Sequence, residues 1–174
     1  MESKGGYNMQ LEDFYDYKNQ LMEDILTTES IVKLLADDLN IAEALDLRYT
    51  QIFPFEYIPE VEQQGRTFIC FDVDVQKSVN KTYLLPTLYV WVFAHKSQLR
   101  LPNGGGVRTD KLCSEICKKI NGSRFYGLGE LEFYSAKRFS PVSEFNGKVL
   151  TFYMKEFNRR HDPKKPVPAN RKGK

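Results

Sequence analysis

Two stretches limit the possible folds most: FICFDVDV, Phe68–Val75, and LLPTLYVWVFAHK, Leu84–Lys96. Both are rich in β-branched and aromatic residues, which suit a pleated, half-buried surface. Side chains alternate across a strand. On the first strand, Thr67–Val75, this places Ile69, Phe71, Val73 and Val75 on one face and Phe68, Cys70, Asp72 and Asp74 on the other. On the second, Tyr83–His95, Leu84, Leu88, Val90, Val92 and Ala94 share one face, and Leu85, Tyr89, Trp91 and Phe93 the opposite one. Both faces of the pair carry apolar residues, so each needs a cover. Pro86 lacks a backbone donor and puts its end of the strand at an edge or a bulge.

The flanking segments supply one cover. LEDFYDYKNQLMEDIL brings Leu11, Phe14, Tyr15, Leu21, Met22 and Ile25 close to a helical stripe, with Glu12 and Asp13 near the positive N-terminal end. ESIVKLLADD reads as a second short helix with Ile31, Leu34 and Leu35 on one side. Asn40–Glu62 holds two prolines and mixed periodicity; it reads as a helical turn around Ala42–Leu47 and then a long irregular arm, a length seldom idle in a compact domain. After the second strand comes LPNGGGVRTDKLCSEICKKIN. Its glycines form a loop, Thr109 or Asp110 caps a helix, and Leu112, Cys113, Ile116, Cys117 and Ile120 form the buried stripe up to the stop at Asn121-Gly122. ELEFYSAKRFSPV and KVLTFYMKEFN are two further strands, with Asn146-Gly147 as the hairpin signal between them. The order α-β-β-α-β-β predicts an α+β domain: a small mixed, antiparallel-rich four-stranded sheet with helices packed on one face. With 174 residues and no repeat, one domain over 1–158 is expected, with an extended arm at 40–62 and a separate tail at 159–174.

Composition narrows the function classes. No apolar run approaches the ~20 residues that span a bilayer, and the N-terminal MESKGGYNMQLEDF has no signal-peptide core. Cytoplasmic synthesis without membrane contact is the expectation. Three cysteines, Cys70, Cys113 and Cys117, fit a reducing compartment rather than a disulfide framework. Residues 159–174 hold seven basic groups and one acid, a net of +6, while the preceding 158 residues hold 18 basic and 22 acidic, a net of −4. Arg159, Arg160, Lys164, Lys165, Arg171, Lys172 and Lys174 make this tail suited to a negative partner or to a solubilising role. Its three prolines favour extended geometry, and without aromatics it binds phosphates rather than stacking on bases.

Patterns for catalysis are thin. Asp72 and Asp74 share a strand face and, with His95 on the next strand, could hold a divalent cation for a metal-dependent nuclease; solvated acids on a strand edge are the simpler account. Cys113 and Cys117 with His95 or His161 lack the second ligand pair of a zinc site and fall on an apolar stripe, where core thiols are expected. NGGGVRTDK precedes a helix, yet the lysine and hydroxyl spacing of a nucleotide P-loop is missing. No Gly-x-Ser-x-Gly occurs, and two histidines leave little room for a nucleophile–base pair. The chain is expected to be no enzyme and to need no cofactor and no metal.

The element order, together with RTFICFDVDV, LYVWVFAHKSQLRLPNGGGVRTDKL, INGSRFYGLGELEF and RFSPVSEFNGKVLTFYMKEFNR, resembles that of tailed-bacteriophage neck proteins of the tail-terminator or tail-completion type, over about Leu11–Asn158. The resemblance implies a structural virion protein of the head–tail junction. Such proteins form a hexameric ring that terminates the tail tube and joins it to the head connector, with DNA passing through the lumen without sequence readout. It implies that the second sheet face and the arm form the oligomer interface, with Tyr89, Trp91, Phe93, Phe53, Phe55 and Tyr57 as its residues. The partners would be sister copies, with most of that face covered by a neighbour, and then the connector and the tube protein. A head-closure protein of the same neck is the nearest alternative; the nuclease built on Asp72, Asp74 and His95 is a more distant one. In a third reading, a nucleic-acid-binding module led by the tail, deleting Pro163–Lys174 abolishes a salt-sensitive DNA affinity. A filter-binding assay in which affinity survives the deletion contradicts it.

Overall fold

The computed structural model describes residues 11–35, 41–60, 65–77, 84–124 and 130–155. Among these residues three α-helices, α1 (Leu11–Leu26), α2 (Glu29–Leu35) and α3 (Arg108–Ile120), accompany five strands. These are β1 (Ile52–Phe53), β2 (Thr67–Lys77), β3 (Leu84–His95), β4 (Glu130–Phe139) and β5 (Phe145–Lys155), in the spatial order β1-β2-β3-β5-β4. All pairings are antiparallel except β1 with β2. The α+β class with helices on one face is as the sequence predicts.

The helices close one face because their stripes match it. Tyr17, Leu21 and Ile25 of α1, Ile31 and Leu34 of α2, and Leu112 and Ile116 of α3 join Ile69, Phe71, Leu88, Val90, Val92, Leu150 and Phe152 in one buried core. Tyr15, which the stripe includes, is exposed, and Tyr17 is buried in its place. Positions 14, 17, 21 and 25 keep the three-and-four spacing of one helix side; position 15 falls off it.

Four local features differ from the sequence reading. First, the arm is not wholly irregular: Ile52 and Phe53 run parallel to Ile69 and Cys70, and Ile69 N–H donates to the Gln51 carbonyl at 2.8 Å. The sheet therefore has five strands, preceded by a 3-10 turn at Ile41–Leu47. Second, neither Thr109 nor Asp110 caps α3. Val107 holds the cap position without a side-chain bond, and Arg108 N–H donates back to Leu99 O at 2.8 Å. Asp110 instead pairs with Lys148 of β5 at 2.8 Å. Third, Asn146-Gly147 is not the hairpin turn. The chain turns at 140–144, where Ser140 Oγ donates to Phe145 O at 2.6 Å, and Asn146 and Gly147 lie inside β5 opposite Ala94 and Phe93. Fourth, Pro86 sits on a strand flanked on both sides, but the β3–β5 ladder begins only at Thr87, so its missing donor falls past the end of that ladder.

Two residues lock the layers together. Arg108 is 2% exposed; its Nε donates to Gln98 O at 2.8 Å and its Nη1 to Leu34 O at 2.7 Å. One guanidinium thus satisfies a carbonyl at the end of α2 and fixes the loop after β3 to α3. At the other end of α3, Gly122 takes φ +77° after Asn121, and Asn121 Oδ1 accepts from Phe133 N at 2.8 Å, so the helix terminus covers part of the outer edge of β4.

Gly147 is required by close approach rather than by a positive φ. A Cβ there would lie 1.9 Å from Val92 O and 2.6 Å from Phe93 Cα, both backbone atoms of the adjacent strand. Gly147→Ala is expected to destabilise the fold by at least about 2–3 kcal/mol, because the strand pair must spread. Urea denaturation of the two proteins checks this; an unchanged midpoint contradicts the β3–β5 register.

Candidate functional site

Directly opposed residues of neighbouring strands share a face, so the register sorts the second face into rows. Phe68, Phe93, Gly147 and Phe139 form one row, Cys70, Trp91, Val149 and Lys137 the next, then Asp72, Tyr89, Thr151 and Ser135, and then Asp74, Thr87, Tyr153 and Glu132. The first rows are roofed by the chain itself. Phe53, Phe68, Cys70, Phe93 and Phe145 form a second buried cluster, with Tyr57, Trp91, Phe139 and Val142 packed against it. Phe53 stacks on Tyr57 with centroids 4.1 Å apart and planes 8° apart, and both rings lean on Phe68. The arm and the 140–144 turn supply this roof.

The roof stops short of the last rows. Tyr89 stacks on Trp91 at 5.8 Å, and Tyr134 meets Tyr153 at 4.4 Å. Tyr89 and Trp91 are half-buried, Tyr153 is 42% exposed and Tyr134 60%. These rings form a stripe from β3 to β4. The Tyr153 hydroxyl ionises above its ordinary range, first because of desolvation and then because Tyr134 and Tyr89 lie close. Acids flank the stripe, Asp72 and Asp74 on β2 and Glu132 on β4, and Lys137 of β4 lies on the same face.

Placed in this frame, the six expected interface residues divide. Phe53 and Phe93 are buried in the chain's own second cluster, so they are not available to another chain. Tyr57 is half-buried in the same roof, and Phe55 is exposed beside it. Tyr89 and Trp91 lie in the open stripe. The expectation that a neighbour covers most of this face is corrected at this end of the sheet: the arm is long enough to pair as β1 and still lay aromatic rings over Phe68. Tyr134 and Tyr153 were not singled out by sequence. A register shift between Phe133 and Ser135 moves Tyr134 beside Tyr153, and strand alternation alone does not reveal such a bulge. The basic tail, Arg159 to Lys174, and His161 lie outside the described residues.

The nuclease residues do not converge. Asp72 pairs with Lys18 of α1 and accepts Val73 N–H at 2.8 Å, a role at the edge that β1 leaves uncovered. His95 is six residues along β3 from Tyr89, the partner of Asp72, which is roughly 20 Å at ~3.4 Å per residue. It closes the Lys96–Gln98 turn through Ser97, its Nδ1 2.8 Å from Ser97 Oγ. Among the described residues no three His, Cys, Asp or Glu side chains group as metal ligands. The glycine loop is occupied by its own backbone bonds, Leu101 N–H to Gly106 O at 2.9 Å and Gly105 N–H to Pro102 O at 3.2 Å, with Asn103, Gly104 and Gly106 at positive φ. No described helix is long and apolar enough to cross a membrane.

The class these observations define is a small α+β domain with one sheet face closed by helices and the other left partly open as an aromatic stripe. The chain belongs to the YomW family, whose model matches residues 28–154. No curated protein matches it. Among solved structures, a chain from the "Virion of native gene transfer agent (GTA) particle" is similar at 16% identity and a TM-score of 0.39, covering 68% of this chain and 85% of that one. A likeness that loose carries neither a fold nor a role across.

Each buried cluster holds a thiol, Cys113 in the first and Cys70 in the second. Burial pushes Cys70 and Cys113 up to about 12, the latter against the opposing pull of Lys148. An unfolded thiol ionises near ~8.5. Their contribution to stability is complete below that pH and lost as pH rises toward 12, since unfolding then releases protons. Thermal melts from pH 8 to 11 should fall more steeply for the native chain than for Cys70→Ala with Cys113→Ala. Equal slopes contradict the burial of both thiols.

Proposed function

We propose that this chain is a structural virion protein of a tailed-phage particle. Copies form a hexameric ring at the head–tail junction, terminating the tail tube and joining it to the head connector. Catalysis has no part in this role. The connector, the tube protein and sister copies are the partners, and DNA passes through the lumen without sequence readout. Supporting the reading are the resemblance in element order and motifs described above and one observation that carries it: the Tyr89, Trp91, Tyr134 and Tyr153 stripe. Contiguous exposed aromatic surface is uncommon on monomers and marks contact sites, and Tyr and Trp suit interfaces because an apolar body ends in a polar tip. A head-closure layer of the same neck uses the same surface. Particles made without the chain separate the two: tails of abnormal length identify a terminator, heads that leak DNA a closure protein.

Tyr153→Asp is expected to dissociate the ring while leaving the fold within about 1 kcal/mol, because a partly exposed position tolerates charge until a partner must desolvate it. Leu45→Asp, at a 63% exposed site away from this face, serves as the control and keeps assembly. Size-exclusion chromatography with light scattering reads both. A Tyr153→Asp protein of native size contradicts the assignment of this face.

A further inference from the structure

The open stripe has a floor of aromatic rings and a mostly acidic border, which is unusual for a surface meant for an ordinary apolar partner. Tyr89 and Trp91 on β3 and Tyr134 and Tyr153 across β5 and β4 supply the rings. Asp74 borders them on one side, next to Asp72, whose carboxylate already pairs with Lys18, and Glu132 lies on the other. Neighbouring aromatic rings, inclined by 28° and 38° within their pairs, with carboxylates beside them suit an extended, proline-containing, basic segment. Proline rings stack in the grooves between aromatics, the preset backbone loses little entropy on docking, and lysines reach the acids.

The chain itself contains such a segment. Pro163-Lys164-Lys165-Pro166-Val167-Pro168 sits in the +6 tail, while the rest of the chain carries −4. The tail leaves the sheet beside this surface, since Tyr153 is two residues from the end of β5. Seven residues, 156–162, separate β5 from Pro163 and reach at most about 25 Å. We propose that Pro163–Pro168 of one copy lies across the Tyr89, Trp91, Tyr134 and Tyr153 stripe of the next. This rests on the self-association proposed above and names the element that makes it.

Trp91 is the chain's one tryptophan, so its fluorescence reports on this surface alone. In the full-length chain its emission should shift red, and acrylamide quenching should rise, on dilution, with added salt, and in Lys164→Glu with Lys165→Glu. Pro166→Ala with Pro168→Ala should act in the same direction without changing charge. Combining Asp74→Lys with the two lysine-to-glutamate changes should restore the native emission, a rescue that damage to the fold does not produce. Light scattering is recorded on the same samples. If the tail variants keep both the native emission and the native assembly, tail docking is wrong while self-association stands. If the native chain is monomeric at every concentration and Trp91 is still shielded by the tail, docking occurs within one copy, and both the proposed exchange and the self-association are overturned. If Trp91 emission follows dilution but ignores every tail substitution, another surface of the neighbour covers the stripe and the proposal fails.

Discussion

The fold turns on β3 being apolar on both sides. Leu88, Val90 and Val92 face the helices, and Phe93 and Trp91 face the opposite way. A strand of this kind in the middle of a sheet forces a two-sided solution, since each face left bare exposes contiguous apolar area to water. The chain meets the demand unevenly. Three helices cover the centre of one face, leaving Val75 and Phe133 at its ends partly exposed. On the other, among the described residues, a short arm and a hairpin turn close the end where Phe68, Phe93 and Phe145 meet and leave Tyr134 and Tyr153 exposed.

That unevenness has identifiable causes. Gly147 lets β5 approach the backbone of β3 so closely that Phe93 is sealed beneath Phe145 and Phe139. β1 pairs with only Ile69 and Cys70, so the arm crosses the sheet at that level. Beyond it, Asp72 and Lys18 rather than another strand occupy the edge of β2. The open surface begins where the arm's hydrogen bonding ends. Charge is divided as well: Asp72, Asp74 and Glu132 border the sheet, while residues 159–174 carry a net of +6 against −4 for the rest of the chain.

Most of the layer structure was legible in the sequence because it depends on periodicity. Ile69, Phe71, Leu88 and Val90 alternate as strands must, and Leu112, Ile116 and Ile120 keep helical spacing. What escaped depends on tertiary context. Asn146-Gly147 carries a strong local hairpin signal, yet the glycine answers to a neighbouring strand and the turn forms at 140–144. Thr109 and Asp110 are good caps in isolation, but Leu99 O already takes the amide that begins the helix. Of the six residues expected at an interface, Tyr89 and Trp91 could be placed on the second face by alternation, whereas the burial of Phe53 and Phe93 required knowing that the arm pairs as a strand. Tyr134 required the bulge.

If the aromatic end of the sheet is contact surface between copies, native mass spectrometry of the chain should show a closed multiple of the 20.3 kDa protomer that persists at micromolar concentration. A spectrum holding only the 20.3 kDa species across that range contradicts it.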